Sequence, residues 1–211
     1  MTRLILLRHG ESEANARGIF AGQRDYPLTD KGREQARQAA IYLTTHEQID
    51  HIYSSDLSRA VETARFSARM MELSVHVDPR LREFDTGEWA GLTAEERQSR
   101  YPEEYRALRE EPARFRYPGG ESVPEVYDRV VEAITEIAER YPDRCVLIVT
   151  HNGAIRAFES FALGHARDEG GHTPQNKNAS LHIYEWRNGK AHLHARDITD
   201  HLSEESAVET V

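Results

Sequence analysis

Two segments of the 211-residue chain join an apolar run to residues that can handle a phosphate. Leu4-Ile5-Leu6-Leu7 runs straight into Arg8-His9-Gly10-Glu11, and Val146-Leu147-Ile148-Val149 into Thr150-His151-Asn152-Gly153. An all-apolar run of this length is the pattern of a strand buried on both faces of a parallel sheet. Ligands of open α/β sheets bind beyond the carboxyl ends of such strands, so both histidines are expected at one rim. Arginine suits a phosphate there, because its forked donors match the phosphate oxygens as a lysine cannot. A histidine can be a covalent nucleophile when one ring nitrogen is pinned and the other free. Phosphoryl transfer then needs a carboxylic acid to protonate the leaving oxygen and later to activate water.

The chain can supply each part. His9 is the candidate nucleophile, with Arg8 beside it and His151 from the second strand. Arg59 is expected in the first turn of a helix, where its side chain and the helix amino terminus both face an anion. Glu83 is the candidate acid, with Glu88 and Asp85 as rivals. Each has an ordinary alternative: a histidine after a buried strand is often only hydrogen-bonded, and most helical arginines face water.

The elements that must position these groups are legible in outline. Residues 4–8 read as the first strand, and Thr29 or Asp30 caps a helix ending near Leu43. His51-Ile52-Tyr53 is a short strand, Ser54-Ser55-Asp56 offer caps for a helix through about Met71, and Val75-His76-Val77 is a strand stopped by Pro79. From Phe84 to about Gly120 the chain is rich in Glu, Arg, Tyr and Pro and reads as an inserted lid. Its Tyr101, Tyr105, Phe115 and Tyr117 are expected to pack the lid helices. Ser122-Val123-Pro124-Glu125 starts a helix whose apolar stripe is Val126, Val130, Ala133, Ile137 and Ala138. A helix from about Gly153 to Leu163 follows the second apolar strand. After a polar loop at 164–178, Asn188-Gly189 marks a hairpin between Leu181–Trp186 and Ala191–Ala195. The expected fold is a three-layer α/β/α sandwich with a mixed, mostly parallel sheet. Residues 1–202 form one domain, and 203–211 an acidic tail expected to fray.

Composition narrows the partners. A net charge of -9 disfavours nucleic acid and anionic membranes, so any anion site is a local basic pocket in a negative body. Cys145 stands alone at the start of an apolar strand, which fits a reducing compartment and a small buried hydrophobe. No run is long enough for a signal peptide or a membrane span, so a cytoplasmic protein is expected. His192 and His194 share a strand face, but no third ligand is suggested by spacing, and no metal site is expected. His165 and His172 lie in the polar loop, either exposed or lining the substrate mouth.

Taken in order, the motifs resemble the histidine phosphatase superfamily, also called phosphoglycerate mutase-like. The likeness begins at Leu7-Arg8-His9-Gly10-Glu11-Ser12 and continues through Asn15 and Leu28-Thr29-Asp30-Lys31-Gly32. It runs on through Ser54-Ser55-Asp56-Leu57-Ser58-Arg59-Ala60 with Thr63-Ala64, and Leu81-Arg82-Glu83 with Gly87-Glu88-Trp89 and Gly91. It closes with Gly119-Gly120-Glu121-Ser122 and Thr150-His151-Asn152-Gly153. The resemblance implies a phosphohistidine intermediate on His9, a phosphoryl group held by Arg8, Arg59 and His151, and Glu83 as proton donor and then base for water. Asn15, Asn152 and the backbone near Gly22 and Gln23 would make lesser substrate contacts. No cofactor or metal is implied, since arginines neutralise the charge.

Glu83 is followed by Phe84-Asp85-Thr86-Gly87 rather than an arginine-histidine pair, and the lid is compact, which resembles the small phosphatase branch. Asn178-Ala179-Ser180 and Asp200-His201-Leu202 resemble the phosphoserine enzymes of that branch, in which two histidines read the substrate. His201 matches one of them; Asp85 stands at the other, which argues against phosphoserine specificity. The expected activity is hydrolysis of a small phosphorylated metabolite. A cofactor-dependent mutase, a phosphoserine-specific phosphatase, a metal-dependent hydrolase and a non-catalytic phosphate-binding scaffold are the competing readings. A homodimer through the hairpin edge is carried by analogy alone.

Overall fold

A computed structural model describes residues 1–167 and 174–207. Its sheet contains β1 (Thr2–Arg8), β2 (His51–Ser54), β3 (Val75–Val77), β4 (Cys145–Thr150), β5 (Leu181–Arg187) and β6 (Lys190–Ile198). The strand order is β3-β2-β4-β1-β5-β6. The first four strands in the chain are mutually parallel; β5 runs against both β1 and β6. The expected mixed, mostly parallel sheet is therefore present.

The helices are α1 (Glu13–Ala16), α2 (Asp30–His46), α3 (Ser58–Met71), α4 (Ala94–Arg100), α5 (Pro102–Glu110), α6 (Val123–Arg140), α7 (Asn152–Ala162) and α8 (Glu204–Ala207). Leu4 to Leu7 and Val146 to Val149 have no polar face and are fully buried, so helices must cover both sides of β1 and β4. Alternate residues then feed two cores. Leu4, Leu6, Val146 and Ile148 pack with Val130 and Ile134 of α6 and Phe158 of α7. Ile5, Leu7, Leu147 and Val149 pack with Ala39 and Leu43 of α2 and Ala60 and Ala64 of α3.

Helix starts follow local chemistry with one correction. Thr29 caps α2, and Ser122 and Glu125 form a capping box at α6 with Pro124 in its first turn. The expected caps of α3, Ser54 to Asp56, do not serve. β2 continues through Ser54, and the cap residue Leu57 contributes no side-chain bond. Asp25 comes from the preceding loop instead and accepts from the Ser58 amide at 2.9 Å. Ser55 is thereby released for another task.

In the lid, two short helices and two 3-10 turns lie between Phe84 and Gly120. Trp89, Phe115 and Tyr117 form its core, with Tyr101 and Tyr105 packed against them. The lid returns to the body at Glu121, whose carboxylate grips Arg129 of α6 at 2.7 Å. The hairpin turn at Asn188 and Gly189 has φ of 52° and 73°, the left-handed pair such a turn needs.

The stretch read as a fraying acidic tail is docked as far as Ala207. α8 lies against α2, and the Ser206 carbonyl accepts from Gln35 Nε2 at 2.7 Å. Cys145 is buried, and burial pushes its thiol up to about 12. His192 and His194 are exposed on one side of β6. His165 is half-buried where the 164–178 loop begins, whereas His172 lies outside the described residues. Among the described residues no helix is long and apolar enough to cross a membrane.

His182 of β5 is fully buried beside β1, and burial pushes its imidazole down to about 4. Below the ordinary value of 6.5 the unfolded chain takes up this proton while the folded chain does not, so acidification favours unfolding. Urea unfolding is expected to show stability falling by about 3 kcal/mol between neutral pH and pH 4 from this residue alone. His182→Gln should flatten that slope; an unchanged slope would mean His182 takes its proton without unfolding.

Candidate active site

The site is built at the carboxyl ends of the parallel strands. Register pairs Arg8 with Thr150, so the next residues, His9 and His151, leave adjacent strands side by side. Their ring centroids are 5.1 Å apart with the planes at 61°. The His9 amide donates to the Thr150 carbonyl at 3.0 Å, extending the ladder one step into the site.

Each ring is oriented by a partner. His9 Nδ1 lies 2.7 Å from the Gly10 carbonyl, which can only accept, so Nδ1 carries the proton and Nε2 keeps its lone pair. His151 Nε2 is 2.8 Å from Ser55 Oγ, at the end of β2. The Leu57 amide donates to that same Ser55 oxygen, so the hydroxyl proton is available to His151 Nε2. When the Ser55 hydroxyl donates to Nε2, the ring proton sits on Nδ1, an atom buried without a partner among the described residues. Burial holds both imidazoles well below their ordinary range, and the cationic Arg59 adds to the effect. Both rings are therefore neutral at neutral pH.

Arg59 is 1% exposed in the first turn of α3. Its guanidinium donates to the carbonyls of Gly22 and Arg24 at 2.8 and 2.9 Å, which aims the fork without cancelling its charge. Arg8 donates to the Asn176 carbonyl. In the expected substrate-contacting stretch at Gly22 and Gln23, the Gly22 carbonyl orients Arg59, and Gln23 Nε2 donates to the Glu83 carbonyl at 3.1 Å.

Glu83 follows the 3-10 turn Pro79–Leu81. Both its carboxylate oxygens lie 3.1 Å from the Gly153 amide at the start of α7. A side chain at 153 would overlap Glu83 Oε1 and the Phe84 ring, so this close approach requires glycine. The rival Asp85 turns back to the Gly87 amide, and Glu88 binds the Tyr101 hydroxyl on the lid surface.

Asn15 Oδ1 accepts from the Ser12 amide and hydroxyl and from Asn178, which leaves its amide nitrogen as the outward donor. Asn152 bridges to Gln175 and to the Asn176 amide and lines a cavity beside Glu83. His201 makes no hydrogen bond to His9, Arg59, Glu83 or His151 among the described residues. Its Nε2 donates to the Ala179 carbonyl at 3.0 Å, and its ring lies against Tyr42 of α2.

Three residues have supporting roles that the sequence did not assign: two stand inside the family motif, and one lies on α6. Ser55 orients His151, and Thr63 Oγ1 accepts from the Gly10 amide. Arg129 donates to the carbonyls of Arg80, Arg82 and Glu83, holding the chain that presents the Glu83 carboxylate. Arg129 sits beside the apolar stripe of α6, and that spacing was the one signal available.

The family model of the histidine phosphatase superfamily (branch 1) matches residues 4–199. Phosphoserine phosphatase 1 of Hydrogenobacter thermophilus is 39% identical over 164 residues, covering 78% of this chain and 77% of its own. A metal-independent phosphoserine phosphatase of Arabidopsis thaliana is 32% identical over 205 residues, 96% of this chain and 84% of its own. Among solved structures, a mycobacterial glucosyl-3-phosphoglycerate phosphatase in complex with VO3 superposes with a TM-score of 0.86. It is 33% identical, and the match covers 93% of this chain and 99% of that one. The chain belongs to the histidine phosphatase superfamily and is a phosphomonoester hydrolase of that class.

Gly153→Ala is expected to displace the Glu83 carboxylate and lower kcat on an alkyl phosphate about a hundredfold. Steady-state rates beside a melting curve check this. Full activity in the variant would mean that Glu83 works from another position.

Proposed function

We propose that the protein hydrolyses small phosphomonoesters without a metal, through a phosphohistidine on His9. The observation that carries this reading is the pinned tautomer of His9. Nδ1 is held by the Gly10 carbonyl, and Nε2 keeps its lone pair between two arginines. Arg8, Arg59 and His151 receive the phosphoryl oxygens, and His151 offers its Nδ1 proton. Nε2 attacks phosphorus as the bond to the leaving oxygen breaks, and Glu83 hands that oxygen a proton. Glu83 then takes a proton from water, the oxygen of that water attacks phosphorus, and the bond to Nε2 breaks to release inorganic phosphate.

The charge neutralisation that a metal would bring comes here from two guanidinium groups. A neutral nucleophile is available because burial and the nearby cations exclude the proton. Relatives named for phosphoserine and for glucosyl-3-phosphoglycerate both match this chain, so family membership alone leaves the leaving group open. Mutase activity would instead return the phosphoryl group to the bound product; isomerisation of a phosphoglycerate primed with bisphosphoglycerate would reveal it.

His9→Ala should lower phosphate release from an aryl phosphate by at least about a thousandfold in the presence of a chelator. The unsubstituted protein should form an acid-labile phosphoenzyme that the variant lacks. Near-normal turnover by the variant would end the covalent mechanism.

Glu83→Gln should cost about a hundredfold or more on alkyl phosphates and much less on aryl phosphates, whose leaving oxygen needs no proton. A leaving-group series measures this; an equal loss across the series would place the acid elsewhere.

A further inference from the structure

β1 ends at Arg8, and the peptide between His9 and Gly10 decides where the His9 ring points. Gly10 supplies the carbonyl that faces His9 Nδ1, so rotation of this peptide would carry that carbonyl away from the ring. Both ends of the peptide are held. Its N–H, on Gly10, donates to Thr63 Oγ1 at 3.2 Å, and that hydroxyl donates to the Arg59 carbonyl at 2.7 Å. Its carbonyl, on His9, accepts from the Ala179 amide at 3.2 Å and from Asn178 Nδ2 at 3.1 Å.

The Asn178 amide has one orientation open to it. The His9 carbonyl can only accept, so the nitrogen must face it. The second hydrogen of that nitrogen reaches Asn15 Oδ1 at 3.3 Å. An asparagine in a turn ordinarily bonds its own neighbouring backbone. Asn178 stands in the turn before β5, yet its side chain bonds residues 169 and 163 positions earlier in the chain. Ala179 takes a φ of 56°, a left-handed backbone that a residue with a Cβ rarely adopts. Its side chain is fully buried in the core that holds Leu7 and Val149. Strained backbone of this kind persists where its surroundings over-determine it. Here the Ala179 amide and the Asn178 side chain converge on one oxygen. The residues just before the turn grip the same rim: Arg8 donates to the Asn176 carbonyl, and the Asn176 amide donates to Asn152 Oδ1 at 3.0 Å.

We propose that Asn178 is a positioning residue for the nucleophile. It clamps the His9–Gly10 peptide opposite Thr63, so that the Gly10 carbonyl keeps the proton on Nδ1 and leaves Nε2 aimed at phosphorus. This rests on the phosphohistidine reading above for the role of His9.

Nitrogen-15 NMR of histidine-labelled protein at neutral pH reads the tautomer, with His9→Ala assigning the signal. The unsubstituted protein is expected to hold His9 in the single Nδ1–H form. Asn178→Ala should mix the two tautomers and slow single-turnover phosphorylation of His9 by an aryl phosphate about tenfold, while KM changes by less than about twofold. Asn178→Leu, which keeps the bulk without the donor, should behave like the alanine variant; recovery of tautomer and rate there would mean that residue 178 only fills space, and would overturn the proposal. Thr63→Val releases the other end of the same peptide, so its effect on the rate should not add to that of Asn178→Ala. Strict additivity would overturn the clamp. A tautomer already mixed in the unsubstituted protein or unchanged in Asn178→Ala, or equal phosphorylation rates in the two proteins, would also overturn it. If no phosphoenzyme forms on either protein, a tautomer mixed only in the variant keeps the hold of Asn178 on His9 and sinks the phosphohistidine reading.

Discussion

The register between β1 and β4 is the constraint on which the rest of the site depends. Arg8 opposite Thr150 sets His9 and His151 side by side where the backbone ladder ends. A slip of one residue would turn every side chain of the slipped strand to the opposite face of the sheet. It would send Leu6 or Ile148 into the wrong core and carry one imidazole away from the other. Eight fully buried aliphatic side chains in the two strands hold that register. The chemistry at the rim is therefore positioned by hydrophobic packing a few residues below it.

Electrostatics work against that packing, and the structure resolves the conflict locally. The body carries a net charge of -9, yet the rim holds Arg8 and Arg59. Arg59 is nearly inaccessible, and burial lowers its preference for the charged form while Glu83 and Asp25 sustain it. The carbonyls of Gly22 and Arg24 satisfy its donors with dipoles, so the full charge remains for an anion. Burial, with the same positive field adding to it, keeps the two histidines neutral. One arrangement thus suits an anion and leaves both imidazoles unprotonated.

The lid hinge joins Glu83 to the scaffold. Arg129 gathers the backbone carbonyls of Arg80, Arg82 and Glu83 and is itself fixed by Glu121. Gly153 lets α7 approach closely enough for its first amide to reach the Glu83 carboxylate. Glu83 is thereby held by α6 and α7 of the body, although it stands at the start of the lid.

Strand positions, the α6 capping box, the hairpin turn and the residues His9, His151, Arg59 and Glu83 were legible because each leaves a local signature: an apolar run, a spacing, a turn pair or a family motif. The α3 cap was misplaced because Asp25 lies more than thirty residues upstream, and only the folded loop brings it to Ser58. Ser55 looked like a helix cap, yet the chain of bonds from Leu57 through its hydroxyl to His151 makes it an orienting group. His201 fitted a motif but packs on Tyr42, because the end of β6 and the turn after it run toward α2.

By itself the sequence determined the layered fold, the buried strand pair and the identity of the groups at its rim, since burial and backbone period are properties of short segments. Tertiary structure alone decided the orientation of the two imidazoles, the anchoring of Glu83 and the docking of α8. Each of these depends on contacts between residues far apart in the chain, whose pairing no local pattern encodes.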